Sequence, residues 1–108
     1  MRVIFGLMIV LVGLPVLAAP TQIPGTIKEI RTGWNAEQFA IVTNEPIVNP
    51  ARCPSPDGYL TDSTQPGYNA YYVAAITAFV ERSRIEVIVD ESACLVGRPK
   101  LIGVNIFR

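Results

Sequence analysis

One uncharged stretch, Tyr68–Val80, constrains most strongly what this chain can fold into. It is rich in alanine, which costs least to place in a helix, and its larger apolar residues recur at helical spacing over Ala70–Val80. The side chain of Asn69 is suited to act as the N-cap. After a short charged turn, the alternating residues of Ile85–Asp90 are typical of a β-strand. We therefore predict one helix that leads directly into one strand, with the remaining chain packed around the pair.

The predicted helix has two adjacent apolar surfaces, whereas a surface helix of a small domain normally has a polar face. The first surface comprises Tyr72, Ile76, Phe79 and Val80. The second comprises Tyr68, Tyr71, Ala75 and Ala78. Either the helix lies between two layers of its own domain, or a partner covers the second surface. If a partner covers the second surface, we expect that partner to be another copy of the chain.

The first residues have the features of an export signal. Arg2 supplies a positive charge, an apolar run follows, and Val16-Leu17-Ala18 fits the small-residue rule for cleavage. We expect residues 1–18 to be removed after Ala18, which leaves residues 19–108 as a single secreted or periplasmic domain. An uncleaved anchor is the alternative, but the run contains Gly13 and Pro15 and is short for a membrane span.

The composition of the exported part excludes some partners and indicates one covalent link. Without Arg2, the nine basic residues become eight, against nine acidic residues. This balance argues against a nucleic-acid partner and against charge-driven membrane binding. Cys53 and Cys94 are the only cysteines, so an oxidising compartment predicts that they form a disulfide, with two free thiols as the alternative in a reducing one.

Four further strands are predicted from alternating patterns and turn residues. Two form a hairpin near the start of the domain, a short one precedes the helix, and one ends the chain; their bounds are Thr26–Ile30, Gln38–Thr43, Tyr59–Asp62 and Lys100–Phe107. Residues 20–25 are predicted as an extended lead-in, and residues 44–56 and 91–99 as irregular segments. Three strands, a helix and two strands is the element order of an OB-fold, a five-stranded, partly open barrel. A plain α+β sandwich is the alternative.

The residue pattern resembles the OB-fold B subunits of bacterial AB-type toxins, the group that includes the subtilase cytotoxin and typhoid toxin subunits. The resemblance is carried by spaced glycine and isoleucine residues in the first strand, by the second strand, and by the passage from helix to strand: Gly25, Ile27, Ile30, Gly33, Phe39-Ala40-Ile41, Ala74–Phe79 and Ile85–Val89.

This resemblance implies a homo-oligomer of five subunits whose helices line a central channel and whose outer surface binds glycans. Two positions depart from the family's glycan site. Pro24 stands where the family has a contacting serine, and Val89 where it has a tyrosine. The family's disulfide is also placed differently from Cys53–Cys94.

No constellation of catalytic residues is present in the sequence. The chain has no histidine, so it lacks the commonest general base and metal ligand, and we expect no cofactor, no metal and no enzymatic activity. The acidic pair Asp90-Glu91 is predicted to be a solvated turn. Trp34 and Tyr59 are candidate ligand-binding residues, because an exposed aromatic ring stacks well on sugars and protein surfaces, although packing in the core is the simpler role for both.

Two functions follow as hypotheses. The first is an exported, non-enzymatic binding module that self-associates and binds a glycan or a protein. The alternative is a monomeric periplasmic accessory or inhibitor protein that acts through residues 44–56 and 91–99, held together by the disulfide.

Overall fold

The computed structural model describes residues 20–33 and 35–108. Within these residues, five strands and one helix follow one another: β1 (Thr21–Thr32), β2 (Gln38–Thr43), β3 (Tyr59–Asp62), α1 (Tyr68–Glu81), β4 (Arg84–Leu95) and β5 (Arg98–Phe107). The predicted export signal, residues 1–18, lies outside the described residues. The predicted bounds of β2 and β3 are confirmed.

The strands close into a barrel in the order β1-β2-β3-β5-β4, with α1 between β3 and β4. This is the OB-fold predicted from the element order. Its first strand is long enough to pair twice: Thr21–Thr26 pairs antiparallel with β4, and Ile27–Thr32 pairs antiparallel with β2. A register shift between Ile27 and Glu29 separates the two halves. The barrel closes where β3 runs parallel to β5, at Leu60 and Lys100.

Three sequence predictions about element bounds are corrected. Residues 20–25 are not a lead-in, because β1 starts at Thr21 and pairs with β4 from there. The helix starts at Tyr68, its N-cap is Gly67 without a side-chain hydrogen bond, and so Asn69 lies inside the first turn. Residues 91–99 are not a loop: β4 continues to Leu95 and β5 begins at Arg98, so only two residues form the turn between them.

The interior of the barrel is apolar and closed by the helix. Its buried cluster draws on every element: Ile23, Phe39, Ile41, Tyr59, Ala75, Ala78, Ile85, Val87, Val89 and Leu101. In β4 the buried positions alternate as predicted, because the intervening side chains point away from the barrel interior. The ring of Phe39 meets Tyr72 edge-on at 5.1 Å and Tyr68 at 5.6 Å, which fixes the helix on β2.

The helix packs two of its alanines against the barrel. Ala75 and Ala78 are fully buried, and Tyr68 and Tyr71 are partly buried against the core. These are the four residues expected at an interface between copies of the chain. The structure places them on the barrel side, because alanine lets the helix backbone approach the strands closely. Ala75 and Ala78 therefore have no free surface to offer a second copy.

The predicted disulfide is present. Cys53 in the irregular segment is bonded to Cys94 in β4, with Cα atoms 5.7 Å apart. The same segment is tied to the β4–β5 hairpin by the N–H of Ser55, which donates to the carbonyl of Gly97 at 2.8 Å. The disulfide therefore fastens an otherwise irregular segment to the longest hairpin of the barrel.

Candidate functional site

A cleft of about 400 Å³ lies between the tip of the β1–β2 hairpin, β3 and the start of β5. We call it the polar cleft. It is lined by Arg31, Thr32, Gly33, Asn35, Ala36, Gln38, Leu60 and Arg98. Its volume falls in the range of small-molecule sites. This part of an OB-fold, formed by the first hairpin loop and the start of the last strand, is where such barrels bind oligosaccharides and oligonucleotides.

Asp57 positions the two arginines of the polar cleft. Arg98 donates from Nε to Oδ1 at 2.7 Å and from Nη2 to Oδ2 at 3.2 Å, so both carboxylate oxygens are used. Arg31 donates from Nη2 to the backbone carbonyl of the same aspartate at 2.7 Å. Such a two-point contact fixes the plane of a guanidinium group as well as its position. The cleft therefore presents its arginines in one defined orientation.

The charges around the polar cleft balance. Arg31 lies 3.4 Å from Glu29 and 3.6 Å from Asp57, and Arg98 is paired with Asp57. The hydrogen bond from Arg98 holds the pKa of Asp57 below its ordinary value, so this carboxylate is ionised at neutral pH. Two cations thus face two anions. Such a site suits a neutral ligand that is rich in hydroxyl groups better than an anion.

The hydrogen-bonding groups of the polar cleft suit a neutral ligand that is rich in hydroxyl groups. Asn35 and Gln38 each carry an amide donor and an amide acceptor, and Thr32 adds a hydroxyl. Neighbouring sugar hydroxyls also act as donor and acceptor together. The arrangement can bind a polar molecule.

Tyr59, one of the two predicted ligand-binding residues, lies in the core. Its side chain is 1% exposed, and its hydroxyl accepts the N–H of Val48 at 2.9 Å. Burial raises the pKa of this phenol above its ordinary value. The ring therefore supports the segment before β3 and has no face free to stack on a ligand.

Trp34, the other predicted ligand-binding residue, lies outside the described residues. Its chain neighbours Gly33 and Asn35 both line the polar cleft. Its assignment as a ligand platform stays a prediction.

The two positions that depart from the toxin subunits lie on β1 and β4. Pro24 is exposed and pairs with Glu86, whereas Val89 is fully buried and pairs with Thr21. Neither residue lines the polar cleft.

The polar cleft could not be found from local sequence signals. Arg98 and Asp57 are 41 positions apart, and neither lies in a motif. Asp57 was predicted only as part of a turn with Gly58. These side chains meet because β3 and β5 become neighbours when the barrel closes.

Two other features are absent from the described residues. Residues 20–33 and 35–108 contain no group of three or more histidine, cysteine or acidic side chains arranged to hold a metal ion. Within the same residues, no helix is long and apolar enough to cross a membrane.

Comparison of this chain with known protein families, with curated protein sequences and with solved structures gave no match.

Proposed function

We propose that this protein is an exported, non-enzymatic binding module and that its ligand is a neutral glycan bound in the polar cleft. One observation carries the proposal: a cleft of ligand size on the binding face of an OB-fold gathers amide, hydroxyl and guanidinium groups whose charges are already balanced. A protein surface rich in hydroxyl and amide groups is the other ligand class that these contacts support.

A glycan array that contains neutral and acidic sugars tests this proposal. We expect the folded chain to bind neutral glycans and not acidic ones, because Arg31 and Arg98 already have carboxylate partners. A blank array would remove the glycan proposal. Selective binding of acidic sugars would show that the charge argument is wrong.

Asn35→Ala is the variant that links binding to the polar cleft. Asn35 is exposed and lines the cleft, so its loss should weaken binding about tenfold without changing stability. Asn105→Ala is the matched control, because Asn105 is also exposed but lies on β5 and donates to Glu86 at 3.2 Å. Equal effects of the two substitutions would place the ligand elsewhere.

Self-association, with five subunits by resemblance, stays a prediction. Analytical ultracentrifugation of the purified chain at tens of micromolar tests it, and a strict monomer would refute it. The helix surface available to a second copy is the exposed one, which includes Val73 and Val80, 63% and 73% exposed.

The alternative function, a monomeric periplasmic accessory or inhibitor protein, gains support from one feature of the β4–β5 turn. Val96 is 64% exposed there, and the disulfide ties the irregular segment to the same hairpin. The two segments thus form one rigid edge. An inhibitor would bind its target as a monomer and lose affinity with Val96→Asp, whereas binding of a glycan in the polar cleft would be unaffected.

A further inference from the structure

A second concave surface, distinct from the polar cleft, lies between the middle of β1 and the C-terminal end of α1. It encloses about 630 Å³, and we call it the helix groove. Its apolar lining comes from Ile27 on β1 and from Phe79 and Val80 on the helix. Phe79 is 42% exposed and Val80 is 73% exposed. Side chains this apolar and this open to water mark a surface that gains free energy when a partner covers it.

The apolar surface continues along the helix. Val73 and Ile76 are 63% and 36% exposed, and with Val80 they follow the spacing of one helix face. From Val73 to Val80 this face extends about 10 Å. A segment of two helical turns, or a short extended peptide, is long enough to cover it.

The charged side chains in the lining of the helix groove are both cations. Lys28 and Arg82 are exposed, and neither forms an ion pair with another residue in the described part of the chain. Two nearby acidic residues lie outside the lining. Glu45 accepts the N–H of Thr26 at 3.0 Å, and Glu81 is exposed at the end of the helix. The lining of the groove therefore combines three apolar side chains with two cations, together with the polar residues Thr26 and Asn44.

From this combination we propose that the helix groove binds an acidic, amphipathic peptide segment of another protein. Leucine or aromatic side chains of the segment would cover Phe79 and Val80, and its carboxylates would lie against Lys28 and Arg82. Complementary charge of this kind selects the partner and orients it, while the apolar contacts supply most of the affinity.

A second copy of the chain is the competing occupant. If two copies faced each other across a two-fold axis at this groove, each would meet the same surface of the other. Lys28 and Arg82 of one copy would then approach the same cations of its partner. Like charges at such a two-fold interface oppose association, so the charge pattern favours a different, acidic chain over a symmetric pair of copies.

Selection from a displayed library of random dodecapeptides against the purified chain tests the proposal without assuming a sequence. We expect the enriched peptides to combine aspartate or glutamate with leucine, phenylalanine or tryptophan. Enrichment of basic peptides, or of none, would overturn the proposal.

Two pairs of variants test whether an enriched peptide binds at the helix groove. The affinity of each variant for the peptide is measured by fluorescence anisotropy. Val80→Asp should weaken it about tenfold, whereas Val96→Asp replaces a valine of similar exposure on the β4–β5 turn and should leave it unchanged. Arg82→Glu should also weaken it about tenfold, while Arg52→Glu should not. Arg52 is a matched control for Arg82, since both residues are exposed and both have a φ of 56°.

Three further results would overturn the proposal: equal losses within either pair of variants, a homo-oligomer that Val80→Asp dissociates, or binding to phosphatidylglycerol vesicles in place of the peptide. Asn35→Ala separates this site from the polar cleft, because peptide binding should persist in that variant. The glycan proposal and the peptide proposal can therefore fail independently.

Discussion

At the scale of single residues, Thr61 stands out because its hydroxyl lies unpaired in the core. The residue is 0% exposed on β3, and its Oγ1 has no hydrogen-bond partner among the described residues. An unpaired buried hydroxyl costs about 1–3 kcal/mol. Thr61→Val keeps the shape and removes this hydroxyl, so we expect the free energy of unfolding to rise by about 1 kcal/mol in urea titrations.

Thr43→Val is the matched control for that substitution. Thr43 is also buried, but its hydroxyl donates to the carbonyl of Glu45 at 3.0 Å. Removing a satisfied hydroxyl should lower the free energy of unfolding by about 1 kcal/mol. If both substitutions changed stability in the same direction, the hydrogen-bond assignment of Thr61 would be wrong.

A second prediction at this scale concerns Asp57 and pH. Its pKa is lowered in the folded protein by the hydrogen bond from Arg98, so the carboxylate stabilises the fold wherever it is ionised. That stability is present above about pH 4, the ordinary pKa of aspartate, and is lost as pH falls through the lowered pKa. Because the side chain is 49% exposed, we expect at most about 1 kcal/mol at pH 7.

Asp57→Asn tests this pH dependence. Its unfolding free energy should lie below that of the parent chain at pH 7, and the two should converge as pH falls through the lowered pKa of Asp57, because the carboxylate of the parent then becomes protonated in the folded state as well. A gap that stayed constant over this range would show that the ion pair does not contribute.

At the scale of an element, the β4–β5 hairpin contains local strain. Its two-residue turn places Val96 at a φ of 50° and Gly97 at 78°. A β-branched residue is disfavoured there by about 1–2 kcal/mol, whereas Asn-Gly is the preferred pair for such a turn. Val96→Asn should therefore raise the free energy of unfolding by about 1 kcal/mol, which thermal unfolding would show as a higher midpoint temperature. Gly97→Ala, which adds a side chain at a positive φ, should lower it.

The two apolar surfaces of the helix have different environments: one packs against the barrel and the other is exposed to solvent. Ala75 and Ala78 bury the side that meets the barrel, while Val73 and Val80 stay in water. Periodicity identifies an apolar surface but not which of two the barrel covers. The tertiary structure decides it, because Ala75 and Ala78 of the second surface are fully buried, whereas Ile76, Phe79 and Val80 of the first are exposed.

At the scale of the whole molecule, the disulfide should supply a large part of the stability. A domain of this size has a modest core, and the bond joins residues 41 positions apart. In the chain-entropy model, such a loop contributes about 4 kcal/mol by restricting the unfolded state. We expect reduction, or replacement of both cysteines by serine, to shift the urea midpoint strongly downwards. An unchanged midpoint after complete reduction would contradict this expectation.

Local sequence patterns were sufficient to predict the order of the elements, the bounds of β2 and β3, and the pairing of Cys53 with Cys94. Strand alternation and helical spacing are local properties, and two cysteines allow one intramolecular pairing. Tertiary structure alone decided the extra length of β1, β4 and β5, which the sequence presented as lead-in and loop. Tertiary structure also created the two candidate binding surfaces. The polar cleft and the helix groove both join residues from distant parts of the chain, and such residues become neighbours only when the barrel closes.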